Sequence, residues 1–139
     1  MKPVASKAKY QKVLLIDDDG IDNFINERII TSTRFSEQAI VKNTVKGAIT
    51  YLDQMVQEGA TLPEIIFLDL NMPNVDGFGF LEEFEKLCAS KQEIPKVCKI
   101  IVLSSSVSPD DINRVSLNPY VYKYINKPLS EKYLSAINF

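Results

Sequence analysis

Apolar and polar positions along this chain change period several times, and the changes mark its elements. Nearly continuous apolar runs at Lys12 to Ile16, Ile65 to Leu68, Lys99 to Leu103 and Val121 to Ile125 predict strands covered on both faces. Between them, apolar residues three and four apart predict helices. The first helix is expected from about Ile21 to Thr33, with Ile21, Phe24, Ile25 and Ile29 on one side. Gln38 to Lys42 reads as a short second strand, and Thr44 as the N-cap of the next helix. Val45, Ala48, Ile49, Leu52, Met55 and Val56 keep helical spacing in it until Gly59 closes it. Phe78, Leu81, Phe84 and Cys88 mark a third helix, and Ser90 to Lys96 reads as a polar connection. Pro109 and Pro119 confine the next helix, near Pro109 to Val115, to about two turns. A terminal helix is expected over Leu129 to Asn138, with Tyr133, Leu134 and Ile137 inward.

Five successive β-α units predict an α/β fold: a parallel sheet with helices on both faces. The pattern alone leaves the strand order open. At 139 residues, with 45% apolar and 24% charged residues, the chain suits one soluble domain. Residues 1–11, with Lys2, Lys7 and Lys9, read as a flexible basic head before a domain at 12–139. A net charge of -2 and a pI near 5.2 give no reason to expect nucleic acid binding. No apolar run is long enough for a membrane span, and the N-terminus lacks the apolar core of a signal peptide. Cys88 and Cys98 form neither a metal-binding pair nor a disulfide framework, which fits a reducing cytoplasm. Histidine is absent, which excludes a histidine base, a histidine metal ligand and a histidine phosphodonor.

In open parallel sheets, ligands sit beyond the carboxyl ends of the strands, at the point where strand order reverses. At those ends stand Asp17 and Asp18, then Asp69, Ser104 and, just past the fifth strand, Lys127. Each alone has a plainer explanation. An Asp after a strand is commonly a cap or turn residue, Ser104 lies in a serine-rich loop, and Lys127 would normally be an exposed cation. Together, at four of five strand ends, they form a constellation. Crowded carboxylates call for a cation, and an all-oxygen donor set suits Mg²⁺. A carboxylate is ionised at neutral pH and can attack phosphorus without a general base, while a cation and a hydroxyl stabilise the transferring oxygens.

These residues resemble the response-regulator receiver domain of two-component signalling over roughly residues 12 to 138. The resemblance rests on Leu-Leu-Ile-Asp-Asp-Asp19, Phe-Leu-Asp-Leu-Asn-Met-Pro73 with Asp76-Gly77, Val-Leu-Ser-Ser105, Tyr124 and Lys127-Pro128. It implies a flavodoxin-like, doubly wound sheet of order 2-1-3-4-5 and a cis Lys127-Pro128 bond. It implies that Asp69 is the phosphoacceptor, and that Asp17, Asp18, Asp69 and the backbone carbonyl of Asn71 hold Mg²⁺. Ser104 would be the switch hydroxyl that meets the phosphoryl group, Lys127 its cation, and Tyr124 the aromatic that changes rotamer. Asp19 is expected to cap the first helix. Asn71 and Ser106 are expected to tune self-dephosphorylation.

The function so implied is that of a cytoplasmic, bacterial signalling phosphoacceptor and not of an enzyme turning over a substrate. A histidine kinase or histidine phosphotransfer protein would donate the phosphate. With the chain stopping at Phe139, output is expected through a downstream protein reading the last two β-α units, from a monomer or weak dimer. Two other readings differ in class. A haloacid-dehalogenase-like phosphohydrolase would use Asp17 as nucleophile and Asp19 as acid/base, but leaves Asp69-Leu-Asn-Met-Pro73 unexplained. A receiver-shaped adaptor would bind partners without taking phosphate.

Overall fold

A computed structural model of the chain describes residues 8–70, 77–105 and 108–139. Five strands run β1 Tyr10–Ile16, β2 Ser36–Lys42, β3 Ile65–Leu68, β4 Lys99–Ser104 and β5 Val121–Asn126. Six helices alternate with them: α1 Gly20–Ser32, α2 Val45–Gln57, α3 Gly77–Ser90, α4 Glu93–Val97, α5 Pro109–Ser116 and α6 Glu131–Ser135. All neighbouring strands pair in parallel, in the order β2-β1-β3-β4-β5. The chain moves outward from β1 to β2, then crosses back over β1 to β3. The reversal point therefore lies between β1 and β3, where the register sets Ile16 beside Leu68. The residues that follow them, Asp17 and Asp69, emerge side by side.

Successive strand residues face opposite sides of the sheet, and both sides are covered. Leu14, Ile16, Ile66, Leu68, Ile100 and Val102 pack on one face with Ala48, Leu52, Phe80 and Phe84. Val13, Leu15, Ile65, Phe67, Ile101 and Leu103 pack on the other with Ile30, Leu134 and Ile137. The unbroken apolar runs 13–16, 65–68 and 100–103 follow from this double coverage. Cys88 and Cys98 are free and buried in the first of these cores. Burial, with the Glu85 charge behind it, pushes the Cys88 thiol up to about 11; burial and Cys88 push Cys98 up to about 12 against the opposing charge of Lys99.

The expected helix signals are present at their positions. Thr44 caps α2, its hydroxyl accepting from the Gly47 amide at 3.0 Å. Gly59, at φ 64°, ends the same helix in the left-handed conformation. Pro109 opens α5, which spans eight residues, close to two turns.

Four expectations need correction. The first strand begins at Tyr10, inside the expected head, because the Tyr10 ring packs at 5.1 Å from that of Phe35. The second begins at Ser36, two residues earlier than expected, because Ser36 pairs with Tyr10. The connection from Ser90 to Lys96 contains α4, anchored by the fully buried Ile94. The terminal helix is only α6, and Tyr133 is largely exposed while Leu134 and Ile137 are buried. The pattern leaves the covered side of α1 open. Ile21, Phe24 and Ile25 are 73%, 61% and 50% exposed, Ile29 packs half-buried on the second core, and the helix buries Asn23, Asn26 and Ile30. Ile21, Phe24 and Ile25 face out because Asn23 faces the end of β1.

That orientation makes a direct contrast. Ile30→Ala is expected to cost about 2–5 kcal/mol of stability. Ile21→Ser, on the exposed side, should stay within about 0.5 kcal/mol. Urea unfolding followed by circular dichroism checks both; comparable losses would mean that the helix is turned the other way.

Candidate phosphoacceptor site

Parallel strands bring their carboxyl ends to one edge, and the backbone there is tied strand to strand. The Asp69 amide donates to the Ile16 carbonyl at 3.0 Å, and the Asp17 amide to Lys42 at 3.2 Å. At the other side, the Lys127 amide donates to the Ser104 carbonyl at 2.9 Å. The Lys127-Pro128 bond is cis. Asp17, Asp69 and Ser104 are buried. One carboxylate oxygen from each of Asp17, Asp18 and Asp69 falls within a group spanning 4.8 Å, with Asp18 on the solvent side.

Lys127 crosses the edge to reach this acid group. Its Nζ lies 2.8 Å from Asp17 Oδ2, 2.8 Å from Asp22 Oδ2 and 3.5 Å from Asp69 Oδ2. Burial alone would depress the lysine pKa. The hydrogen bonds to Asp17 and Asp22, with the charges of Asp69 and Asp17, outweigh it and hold the ammonium above the usual lysine range. Since the folded value is the higher one, this stabilisation is complete below about 10.4, the unfolded lysine value, and is lost as pH rises through the folded value. The group is therefore a fixed cation at neutral pH.

The loop ends are shaped around the acids. Asp19 is the N-cap of α1, its Oδ1 accepting from the Ile21 amide at 2.8 Å and the Asp22 amide at 3.1 Å. The Asp17 side chain accepts from the Asp19 amide at 3.0 Å, and Asn23 Nδ2 donates to the Asp17 carbonyl at 2.8 Å. Asn23 Oδ1 is buried and finds no hydrogen-bond partner among the described residues. On the far side, Gly77 opens α3 against the end of β3. A Cβ there would sit 2.6 Å from the Asp69 carbonyl oxygen and 2.7 Å from Leu70 Cα, so only glycine allows this approach.

The edge thus gathers Asp17, Asp18, Asp69, Ser104 and Lys127, the residues singled out in the sequence. Tyr124 stands in β5 opposite Val102 and packs, half-buried, against the core beneath the edge. Asn71 and Ser106 lie outside the described residues. The sequence reading missed Asp22 and Asn23. Their signal is the polar stripe of α1 opposite Ile21, Phe24 and Ile25. It held Asp76-Gly77 only as a motif, without the close approach that requires the glycine.

Three clustered carboxylates beside one lysine make an oxygen-only donor set with negative charge to spare, which fits a small hard cation such as Mg²⁺. Asp18, the exposed member, should show the crowding. Asp18→Asn is expected to raise the melting temperature in EDTA, by relieving like-charge repulsion, and to weaken Mg²⁺ binding sharply. A lower melting temperature in EDTA would mean that the acids are not in conflict. Gly77→Ala is expected to cost about 1–3 kcal/mol in urea unfolding, because the added methyl group must displace backbone at Asp69 and Leu70.

The model of the response regulator receiver domain matches residues 13–138. Among curated proteins, the chain is 30% identical over 118 residues to the probable methanogenesis regulatory protein FilR2 of Methanothrix harundinacea, covering 85% of this chain and 72% of that one. It is 28% identical over 101 residues to the response regulator Rcp1 of Synechocystis, covering 72% and 65% respectively. Among solved structures, a two component response regulator from Cytophaga hutchinsonii superposes with a TM-score of 0.81 at 33% identity, covering 90% of this chain and 91% of that one.

Proposed function

The chain belongs to the response regulator receiver family, and on that premise we propose that it accepts a phosphoryl group on Asp69 and thereby switches the binding of a partner protein. The observation that carries this reading is the single edge holding a buried Asp69, two further acids and the Lys127 ammonium 3.5 Å from the acceptor carboxylate. An Asp69 oxygen attacks phosphorus, the bond from phosphorus to the donor's nitrogen or oxygen breaks, and an acyl phosphate forms. Mg²⁺ held by Asp17, Asp18, Asp69 and the Asn71 carbonyl would neutralise charge on the transferring oxygens. Lys127 and Ser104 then bind phosphoryl oxygens, one as a cation and one as a hydroxyl donor.

The donor, a histidine kinase or histidine phosphotransfer protein, must bring its phosphate to this edge. The exposed Ile21, Phe24 and Ile25 stand on α1, beside Asp22 in its first turn, and give a docking protein apolar surface next to the acceptor. The added phosphate carries about -1.5 to -2 charge. It draws on Ser104 and Lys127, at the ends of β4 and β5, and Tyr124, in β5 opposite Val102, transmits the change. The last two β-α units are suited to be read by a partner: Leu117 and Tyr122 are 84% and 51% exposed, and α5 buries only Val115. The described helices include none long and apolar enough to cross a membrane, in keeping with action in the cytoplasm.

Hydrolysis through Asp17 fits less well. Asp17 is bound by Lys127, and Asp19, its required acid/base, spends its carboxylate on two backbone amides of α1.

Incubation with Mg²⁺ and acetyl phosphate, followed by borohydride reduction and peptide mass spectrometry, tests the reading. The expected label is on Asp69, absent from the Asp69→Asn protein. A label on Asp17 would point to the phosphohydrolase instead. No label despite measurable Mg²⁺ binding would favour an adaptor that works without phosphate.

A further inference from the structure

Lys127 shares its ammonium with a carboxylate that stands outside the acid cluster. Nζ is 2.8 Å from Asp22 Oδ2, as close as it is to Asp17, and closer than its 3.5 Å to Asp69. Asp22 stands in the first turn of α1 and does not contribute to the group formed by Asp17, Asp18 and Asp69. The Asp19 cap, which accepts from the Asp22 amide, fixes the turn on which it stands.

Resting on the phosphoacceptor reading, we propose that Asp22 is a positioning residue that holds Lys127 back from Asp69 in the resting protein and competes with the phosphoryl group for its ammonium. An ammonium has three protons to give. Two are committed at 2.8 Å, to Asp17 and Asp22, and Asp69 receives only a longer contact. The third proton reaches Asp69 only at 3.5 Å, and a phosphoryl oxygen that draws the ammonium toward Asp69 stretches one of the two short bonds. The Asp17 side chain is 6% exposed and belongs to the acid group proposed to hold Mg²⁺, so the ion replaces the lysine there and leaves Asp22 as the short partner of Lys127. The Asp22 side chain is 38% exposed, so water can replace the lysine there. Asp22 is therefore the partner that lets go.

The pair also links α1 to the turn after β5 across 105 residues of sequence. Release on phosphorylation uncouples the donor-facing helix from the switch end of the sheet. Asp22 thus sets both how readily the acceptor is phosphorylated and what holds the resting state.

The test compares the wild type with Asp22→Asn, which removes the charge and keeps the shape, and with Asp22→Ser as a second variant. Two quantities are read at saturating Mg²⁺: the rate of Asp69 labelling by acetyl phosphate, and the half-saturating concentration of beryllofluoride, a phosphoryl mimic, from tyrosine fluorescence. Both variants are expected to label faster and to bind beryllofluoride more tightly by about two- to fivefold, the factor carried by an ion pair of partly exposed groups. In a Lys127→Met background, Asp22→Asn should leave beryllofluoride affinity unchanged. Unchanged or weaker binding in both Asp22 variants overturns the proposal. So does an equal gain with and without Lys127, which would be a general charge effect. A wild type that takes no phosphate on Asp69 overturns the phosphoacceptor reading itself, whereas a labelled wild type indistinguishable from its Asp22 variants overturns only the role of Asp22.

Discussion

The ammonium of Lys127, held among carboxylates from two other elements, is the interaction on which the functional edge depends. Strand order forces the conflict it resolves. Because β1 and β3 are neighbours in register, Asp17 and Asp69 must emerge together, and Asp18 joins them within 4.8 Å. Ionised carboxylates at that spacing repel one another unless a cation or a proton lies between them. Lys127 arrives from β5, two strands away from β3, with its amide tied to the Ser104 carbonyl of β4. Its bonds to Asp17 and Asp22 therefore span the sheet edge. The negative charge gathered at this edge draws the last strand's loop over it.

The need to serve that edge explains the orientation of α1. A helix beside an open sheet ordinarily turns its apolar stripe inward. Here the inward side carries Asn23, bonded to the Asp17 carbonyl, together with the buried Asn26, and Ile30 alone is a fully buried apolar anchor. Asp22 stands one residue before Asn23 and takes its share of Lys127. Ile21, Phe24 and Ile25 are left on the outside. Local patterning and global fold disagree where function makes its demands, and the disagreement is itself a pointer to the site.

Much of this architecture was legible in the sequence because it rests on local signals. Doubly covered strands announce themselves as unbroken apolar runs, and Thr44, Gly59 and Pro109 mark helix ends by their own conformational chemistry. Asp17, Asp18, Asp69, Ser104 and Lys127 could be named because strand ends in a parallel sheet converge. What stayed hidden depends on contacts distant in sequence. Periodicity shows that a helix has two sides but not which one is covered, so it leaves the covered side of α1 open. A five-residue helix such as α4 hangs on a single buried residue, Ile94, too little to register as a period. The Asp22 to Lys127 pair joins positions 105 residues apart. The need for Gly77 appears only when the carbonyl of Asp69 is seen 2.6 Å from where a Cβ would be.

Lys127 is the resting counterion of an acid cluster whose oxygen donors also suit a divalent cation. Calorimetric titration of Mg²⁺ into the wild type and into Lys127→Met, with stability in EDTA measured alongside, tests it most directly. Without the lysine, the metal-free protein should be less stable and should bind Mg²⁺ more tightly, since the ion no longer competes with the ammonium for Asp17. A Lys127→Met protein that binds Mg²⁺ no more tightly than the wild type, and is no less stable without it, would mean that Lys127 is not the counterion of the acid cluster.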